Sequence, residues 1–205
     1  MLHSDNIPVL LLTGYLGSGK TTLLNRILSN RKGIRFAVIV NDIGEVNIDA
    51  ELIQKGGVVA QQDDSLIALQ NGCICCSLKM DLVQQLRDLC ATNQFDYIVI
   101  EASGICEPAP IAQTISSYPS MVPASSAPIP VLDAIVSVVD ALRLRDEFMV
   151  QLSSISNNSL PIAKAEDLAS LVIEQIEFCN LILLNKVSEV NEEERKQIIS
   201  IIRAI

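Results

Sequence analysis

Hydrophobic and polar positions along this chain follow two alternating periods. Nearly unbroken apolar runs recur at residues 9–12, 36–40, 97–100, 134–139 and 181–184, each about the length of a strand buried on both faces. Between them, apolar residues return every three or four positions over 20–29, 78–90, 110–117, 163–177 and 192–205, which lines them along one side of a helix. Strand and helix in this rhythm predict an α/β fold: a doubly wound, mostly parallel sheet with helices on both faces. Ligands of such sheets bind at the carboxyl ends of the strands. Residues 116–130, with five Ser and four Pro, predict a long surface loop. The last helix carries Ile198, Ile199, Ile201, Ile202 and Ile205 on or near one face, a stripe that needs cover. After residue 205 the pattern leads one to expect a further strand, as in a piece of a longer chain.

The most informative segment lies between the first strand and the first helix. Gly14-Tyr15-Leu16-Gly17-Ser18-Gly19-Lys20-Thr21-Thr22 fits G-x-x-x-x-G-K-[ST], the loop that wraps nucleotide phosphates. Its glycines let backbone N–H groups converge on phosphate oxygens, and the following helix adds its positive end. Lys20 is expected to reach the β- and γ-phosphates, and the Thr21 hydroxyl to bind Mg²⁺.

Three other strand ends carry candidate chemistry. Glu101 closes the third run and is followed by Ala102-Ser103-Gly104; an acid there suits Mg²⁺, and Gly104 is placed to sense the γ-phosphate. Asn41-Asp42-Ile43-Gly44-Glu45 follows the second run, a candidate switch segment in which Asp42 would approach Mg²⁺ or orient water. Asn185-Lys186-Val187-Ser188 follows the last run and looks like the base-reading N-K-x-D of GTPases with Ser188 in place of Asp. Losing that charge-assisted contact to guanine costs about 1.5–3 kcal/mol, some ten- to hundredfold. Glu189 is expected to substitute only if the loop shifts, so guanine preference is read as weakened.

Asn71-Gly72-Cys73-Ile74-Cys75-Cys76 is the second informative motif. Cys73, Cys75 and Cys76 supply up to three soft thiolates, most of a tetrahedral Zn²⁺ or Co²⁺ site. A fourth ligand would come from Glu45, a water or a partner protein. Small buried hydrophobes, or a redox pair, are the competing readings. Cys90, Cys106 and Cys179 stand alone among apolar residues and are read as core.

Composition narrows the picture. The formal net charge is −9, and no Lys, Arg or His falls between Arg87 and Arg143, so the basic surface that nucleic acid needs is missing. No apolar run is long enough to span a membrane, and residues 1–7 lack a cationic leader region. Six cysteines without such a leader point to thiols or metal ligands in the cytoplasm rather than disulfides.

Taken together, the phosphate loop, Asn41-Asp42-Ile43-Gly44-Glu45, Gly72-Cys73-Ile74-Cys75-Cys76, Glu101-Ala102-Ser103-Gly104-Ile105-Cys106-Glu107-Pro108, Val138-Val139-Asp140-Ala141 and Asn185-Lys186 resemble the CobW-type GTPases. These are metallochaperones related to the nickel-insertion GTPases of hydrogenase and urease. The resemblance implies one P-loop NTPase domain over residues 1–205, without the C-terminal domain of typical members. It implies slow GTP hydrolysis, stimulated by a partner or metal and coupled to handling Zn²⁺ or Co²⁺. Under it, Gly14, Gly17, Ser18, Gly19, Lys20, Thr21, Thr22, Gly104, Asn185 and Lys186 bind nucleotide. Thr21, Asp42 and Glu101 attend Mg²⁺, with Lys20, Asp42 and Glu101 the catalytic candidates, and Cys73, Cys75, Cys76 and Glu45 hold the transferred ion. A client metalloprotein and a homodimer are the implied partners. Asp42 stands where Glu is usual, and His3 alone cannot replace a His-rich stretch. Two alternatives stay open: a phosphate-loop kinase of a small metabolite, and a non-catalytic relative that binds metal or nucleotide.

Overall fold

A computed structural model describes residues 6–29, 33–40, 68–70, 79–123, 127–146 and 163–205. Within them the strands are β1 (Asn6–Thr13), β2 (Phe36–Val40), β3 (Ala68–Gln70), β4 (Tyr97–Glu101), β5 (Ile129–Asp140) and β6 (Leu181–Asn185). The helices are α1 (Lys20–Leu28), α2 (Lys79–Thr92), α3 (Pro108–Met121), α4 (Ala141–Leu144), α5 (Ala163–Glu177) and α6 (Glu192–Ala204), with a 3₁₀ turn at Val187–Glu189. The strands form one sheet in the order β3-β2-β4-β1-β5-β6, and all five pairings are parallel. The expected doubly wound parallel sheet is therefore the fold.

Burial on both faces explains the unbroken apolar strands. Val9 and Leu11 of β1 face one way, into a core with Ile39, Ile98 and Ile100 and with Leu82 and Leu86 of α2 and Ile111 and Ile115 of α3. Leu12 faces the other way, against Val38, Val99, Val138 and Leu24 of α1. A third cluster joins Val139, Leu144, Val172 and Ile176 to Ile198 of α6, with Ile202 packed against it. Thus α1 covers one face, and α2 and α3 cover the other.

Several boundaries differ from the sequence expectation. The loop expected at residues 116–130 is shorter, because α3 continues to Met121 with Pro119 inside it. Burial of Ile115 and Tyr118 outweighs the weak helix propensity of Ser and Pro there. At the far end, β5 begins at Ile129, five residues before the expected start. The reason is a register shift: Val9 pairs with Leu132 but Leu10 with Ala134, so Asp133 is the extra residue of a bulge. Asp133 breaks the apolar run yet stays in the strand, accepting a hydrogen bond from the Tyr97 hydroxyl.

The short β3 and α4 carried no period long enough to predict them. On α6, Ile198 and Ile202 supply the cover-seeking face while Ile205 remains exposed. Its start is a complete capping box: the Asn191 side chain accepts from the backbone N–H groups of Glu193 and Glu194, and Glu194 returns a carboxylate to the Asn191 N–H. Among the described residues no helix is long and apolar enough to cross a membrane.

Because Leu11 is fully enclosed on the central strand, Leu11→Ala is expected to lower unfolding stability by about 2–5 kcal/mol in urea titrations.

Candidate functional site

The parallel order brings the carboxyl ends of β1, β4, β5 and β6 to one edge. Leu12 pairs with Glu101 across β1 and β4, and Asp140 with Asn185 across β5 and β6. The segment between Thr13 and Lys20 therefore starts from the middle of the sheet, with other strand ends on both sides. Its turn is closed by the Ser18 N–H donating to the Tyr15 carbonyl at 3.1 Å.

Gly19 caps α1 in the left-handed region, with φ of 106°. A Cβ there would collide with the side-chain amide of Asn185, so the end of β6 and the loop touch only because residue 19 is glycine. That amide donates to the Ser18 carbonyl at 2.8 Å. Gly104 answers a similar constraint after β4: a Cβ would lie 2.5 Å from the Leu16 backbone nitrogen. The loop following Glu101 thus packs directly on the phosphate-loop backbone. Gly14 and Gly17 also take positive φ.

Lys20 is 8% exposed, and its ammonium donates to the Tyr15 carbonyl at 3.2 Å. The Thr21 hydroxyl donates to Glu101 Oε1 at 2.9 Å, and Glu101 is only 2% exposed. Ser18 is buried, and its hydroxyl has no protein partner among the described residues. Thr22 is exposed on α1.

Three residues outside the sequence-derived set complete the edge. Asp140 caps α4 by accepting from the Arg143 N–H at 3.2 Å, and its other oxygen pairs with the Lys186 ammonium at 2.5 Å. Arg143 lies over the Tyr15 ring, 3.9 Å from its centroid, and donates to the Leu16 carbonyl at 3.3 Å. Gln175 of α5, 1% exposed, donates to the Gly104 and Cys106 carbonyls at 3.4 and 3.2 Å. Tyr15, Ser137, Asp140, Arg143 and Gln175 line a small cavity of about 20 Å³ behind the loop, room for about one water. The signal for Asp140 was present in the sequence: like Glu101, it is an acid that ends a buried strand.

The structure thus gathers Gly14, Gly17, Ser18, Gly19, Lys20, Thr21, Glu101, Gly104, Asn185 and Lys186 at one edge. Asp42, Glu45, Cys73, Cys75 and Cys76 lie outside the described residues. Among the described residues, no group of three or more His, Cys, Asp or Glu side chains is placed to hold a metal. Cys90 and Cys106 are buried and Cys179 is half-buried, as the core reading expects. Burial pushes the Cys90 thiol up to about 11, which keeps it protonated and unreactive near neutral pH.

Sequence and structure comparisons agree with this geometry. Residues 8–205 match the family described as CobW/HypB/UreG, nucleotide-binding domain. The zinc-regulated GTPase metalloprotein activator 1 of Dictyostelium discoideum is 38% identical, over 98% of this chain and 44% of its own length. The zinc chaperone YjiA of Escherichia coli K12 is 36% identical, over 92% of this chain and 52% of its own length. The chain therefore spans about half the length of these curated relatives. Among solved structures, a Zn(II)-bound triple mutant of the YjiA GTPase, with a glutamate and two cysteines changed to alanine, superposes with a TM-score of 0.56. It is 29% identical, and the match covers 95% of this chain and 54% of that one.

Replacing Gln175 by Leu leaves two buried carbonyls without their donor. Loss of the two hydrogen bonds is expected to cost about 1–3 kcal/mol in all, read as a lower urea midpoint.

Proposed function

The chain belongs to the CobW/HypB/UreG nucleotide-binding family, and we propose that it is a metal-binding GTPase that couples GTP binding and hydrolysis to delivery of a divalent ion, Zn²⁺ or Co²⁺. The observation that carries the reading is the contact between Thr21 and Glu101, which sets a hydroxyl and a buried carboxylate side by side at the start of α1. Both are hard oxygen donors, the chemistry that suits Mg²⁺ rather than a thiophilic ion. Thr21 and Glu101 would hold Mg²⁺, with Asp42 as a further candidate ligand. Bound there, Mg²⁺ would neutralise charge on the phosphate oxygens.

The remaining roles follow from what this chain places at the edge. Backbone N–H groups around Gly17 and Gly19, with the positive end of α1, would receive the phosphates. The buried Ser18 hydroxyl, without a protein partner, adds a donor within the same loop. Lys20 would exchange the Tyr15 carbonyl for phosphate oxygens, a stronger charge-assisted bond. Asn185 and Lys186 would border the base. Gly104, packed on Leu16, is placed to feel any movement of the loop when a γ-phosphate arrives. Asp42 and Glu101 are the residues proposed to position water, so intrinsic turnover would be slow.

Zinc enters as cargo. Two relatives carry zinc in their names, and a triple mutant of YjiA, the second of them by name, was solved with Zn(II) bound; Cys73, Cys75, Cys76 and Glu45 are the proposed ligands in this chain. A client metalloprotein that receives the ion, and a homodimer as the active form, belong to the same proposal. The kinase alternative is dropped, because the matched relatives are named as a zinc-regulated GTPase metalloprotein activator and a zinc chaperone. If metal site and phosphate site are coupled, GTP must change metal affinity by the same factor by which metal changes GTP affinity.

Phosphate release and Co²⁺ titration test the proposal together. Lys20→Ala is expected to lower GTP turnover about a hundred- to thousandfold. Changing Cys73, Cys75 and Cys76 to Ser is expected to abolish thiolate-to-Co²⁺ charge-transfer absorption while sparing GTP binding. Tight GTP binding without phosphate release would favour the non-catalytic alternative. Co²⁺ binding indifferent to GTP would remove the coupling.

A further inference from the structure

The turn that follows β6 departs from the base-reading pattern at one position, and its geometry supplies a replacement. Lys186 takes a left-handed conformation, φ 55°, which turns the chain out of the strand. Val187–Glu189 then forms a single 3₁₀ turn, closed by the Glu189 N–H donating to the Lys186 carbonyl at 3.0 Å. The Ser188 hydroxyl donates to Glu189 Oε1 at 3.3 Å. The carboxylate expected at residue 188 is thus found one hydrogen bond away, carried by the next residue. The sequence expectation was that Glu189 would reach this place only after a loop shift. The two methylenes of Glu189 remove that need by letting its carboxylate fold back onto its neighbour.

We infer that Glu189 is the residue that selects guanine in this chain, with Ser188 holding its carboxylate in place. This assignment rests on the GTP-binding reading above. Two contacts hold the turn: the Asn185 amide on the Ser18 carbonyl ties it to the phosphate loop, and the Lys186 ammonium on Asp140 ties it to the end of β5. Ser188 and Glu189 are both exposed, so the carboxylate is open to a ligand arriving from solvent. Guanine presents two adjacent donors, N1–H and the exocyclic amine, and a carboxylate accepts from both. A lone serine hydroxyl cannot match that pair. Adenine presents an acceptor at N1, which a carboxylate rejects. Xanthine presents a carbonyl where guanine has the amine, which a carboxylate also rejects and a glutamine amide accepts.

The 205-residue chain, with Mg²⁺ present, decides this by competition of GTP, ATP and XTP against a fluorescent GTP analogue. Wild type is expected to prefer GTP over both rivals. Glu189→Gln is expected to weaken GTP by roughly ten- to hundredfold and to raise the XTP-to-GTP affinity ratio. Adding Ser188→Asp to Glu189→Gln returns a carboxylate to residue 188 and is expected to restore GTP preference. Unchanged GTP, ATP and XTP ratios in Glu189→Gln, or equal affinity of wild type for GTP and ATP, would overturn the assignment while leaving nucleotide binding intact. Failure of wild type to bind any of the three would overturn the GTP-binding reading and the assignment with it.

Discussion

Thr21 and Glu101 meet because a parallel sheet aligns strand ends. The carboxylate closes β4 and the hydroxyl opens α1, and the pairing of Leu12 with Glu101 sets their separation before either side chain makes a contact. Around that hydrogen bond the other constraints fall into place. Glu101 is enclosed, so its charge depends on fixed partners rather than water. Lys20, also buried, holds its ammonium on the loop's own backbone. An anion entering here meets groups whose orientation was fixed on folding, the condition under which hydrogen bonds are most effective.

A second set of contacts holds the loop from the opposite side. Asn185 fastens Ser18, Arg143 fastens Leu16 and covers Tyr15, and Asp140 links α4 to Lys186. Gln175 ties the loop after β4 to α5. The contacts of Asn185 and Arg143 join loop residues to elements distant in sequence, so the phosphate loop is shaped as much by its surroundings as by its glycines. At residues 14, 19 and 104 the glycines are required by close approach of the Val138 carbonyl, the Asn185 side chain and the Leu16 backbone.

Much of this was legible in the chain because burial on two faces leaves long apolar runs. The strands that became β1, β2, β4 and β6 were readable that way, and β5 in its second half, since Asp133 interrupts the run at the bulge. The phosphate loop was readable because its spacing has few other uses. Asp140 carried a signal, an acid at the end of a buried strand, but Arg143 and Gln175 did not, since single polar residues inside or beside apolar segments look like surface positions until the sheet order assigns them neighbours. Ser188 shows the limit of reading position by position: the missing carboxylate was noted, but its nearness on Glu189 depends on a left-handed Lys186 and one 3₁₀ turn. The candidate switch residues Asp42 and Glu45 and the candidate metal ligands Cys73, Cys75 and Cys76 lie outside the described residues and rest on the sequence.

The sheet order also dictates when this edge can exist during synthesis. The bonds that shape it span 80 residues for Thr21 to Glu101, 127 for Arg143 to Leu16 and 167 for Asn185 to Ser18. At about 5–20 residues per second, the Asn185 contact waits roughly ten to thirty seconds after Ser18 has been made. Until β4 and β5 have followed, β1 has an apolar surface and unpaired edges without its later neighbours, the slow, non-local kind of assembly. The finished phosphate loop is therefore a late product of folding, and nucleotide captured by it would stabilise only chains that have already placed β4, β5 and β6.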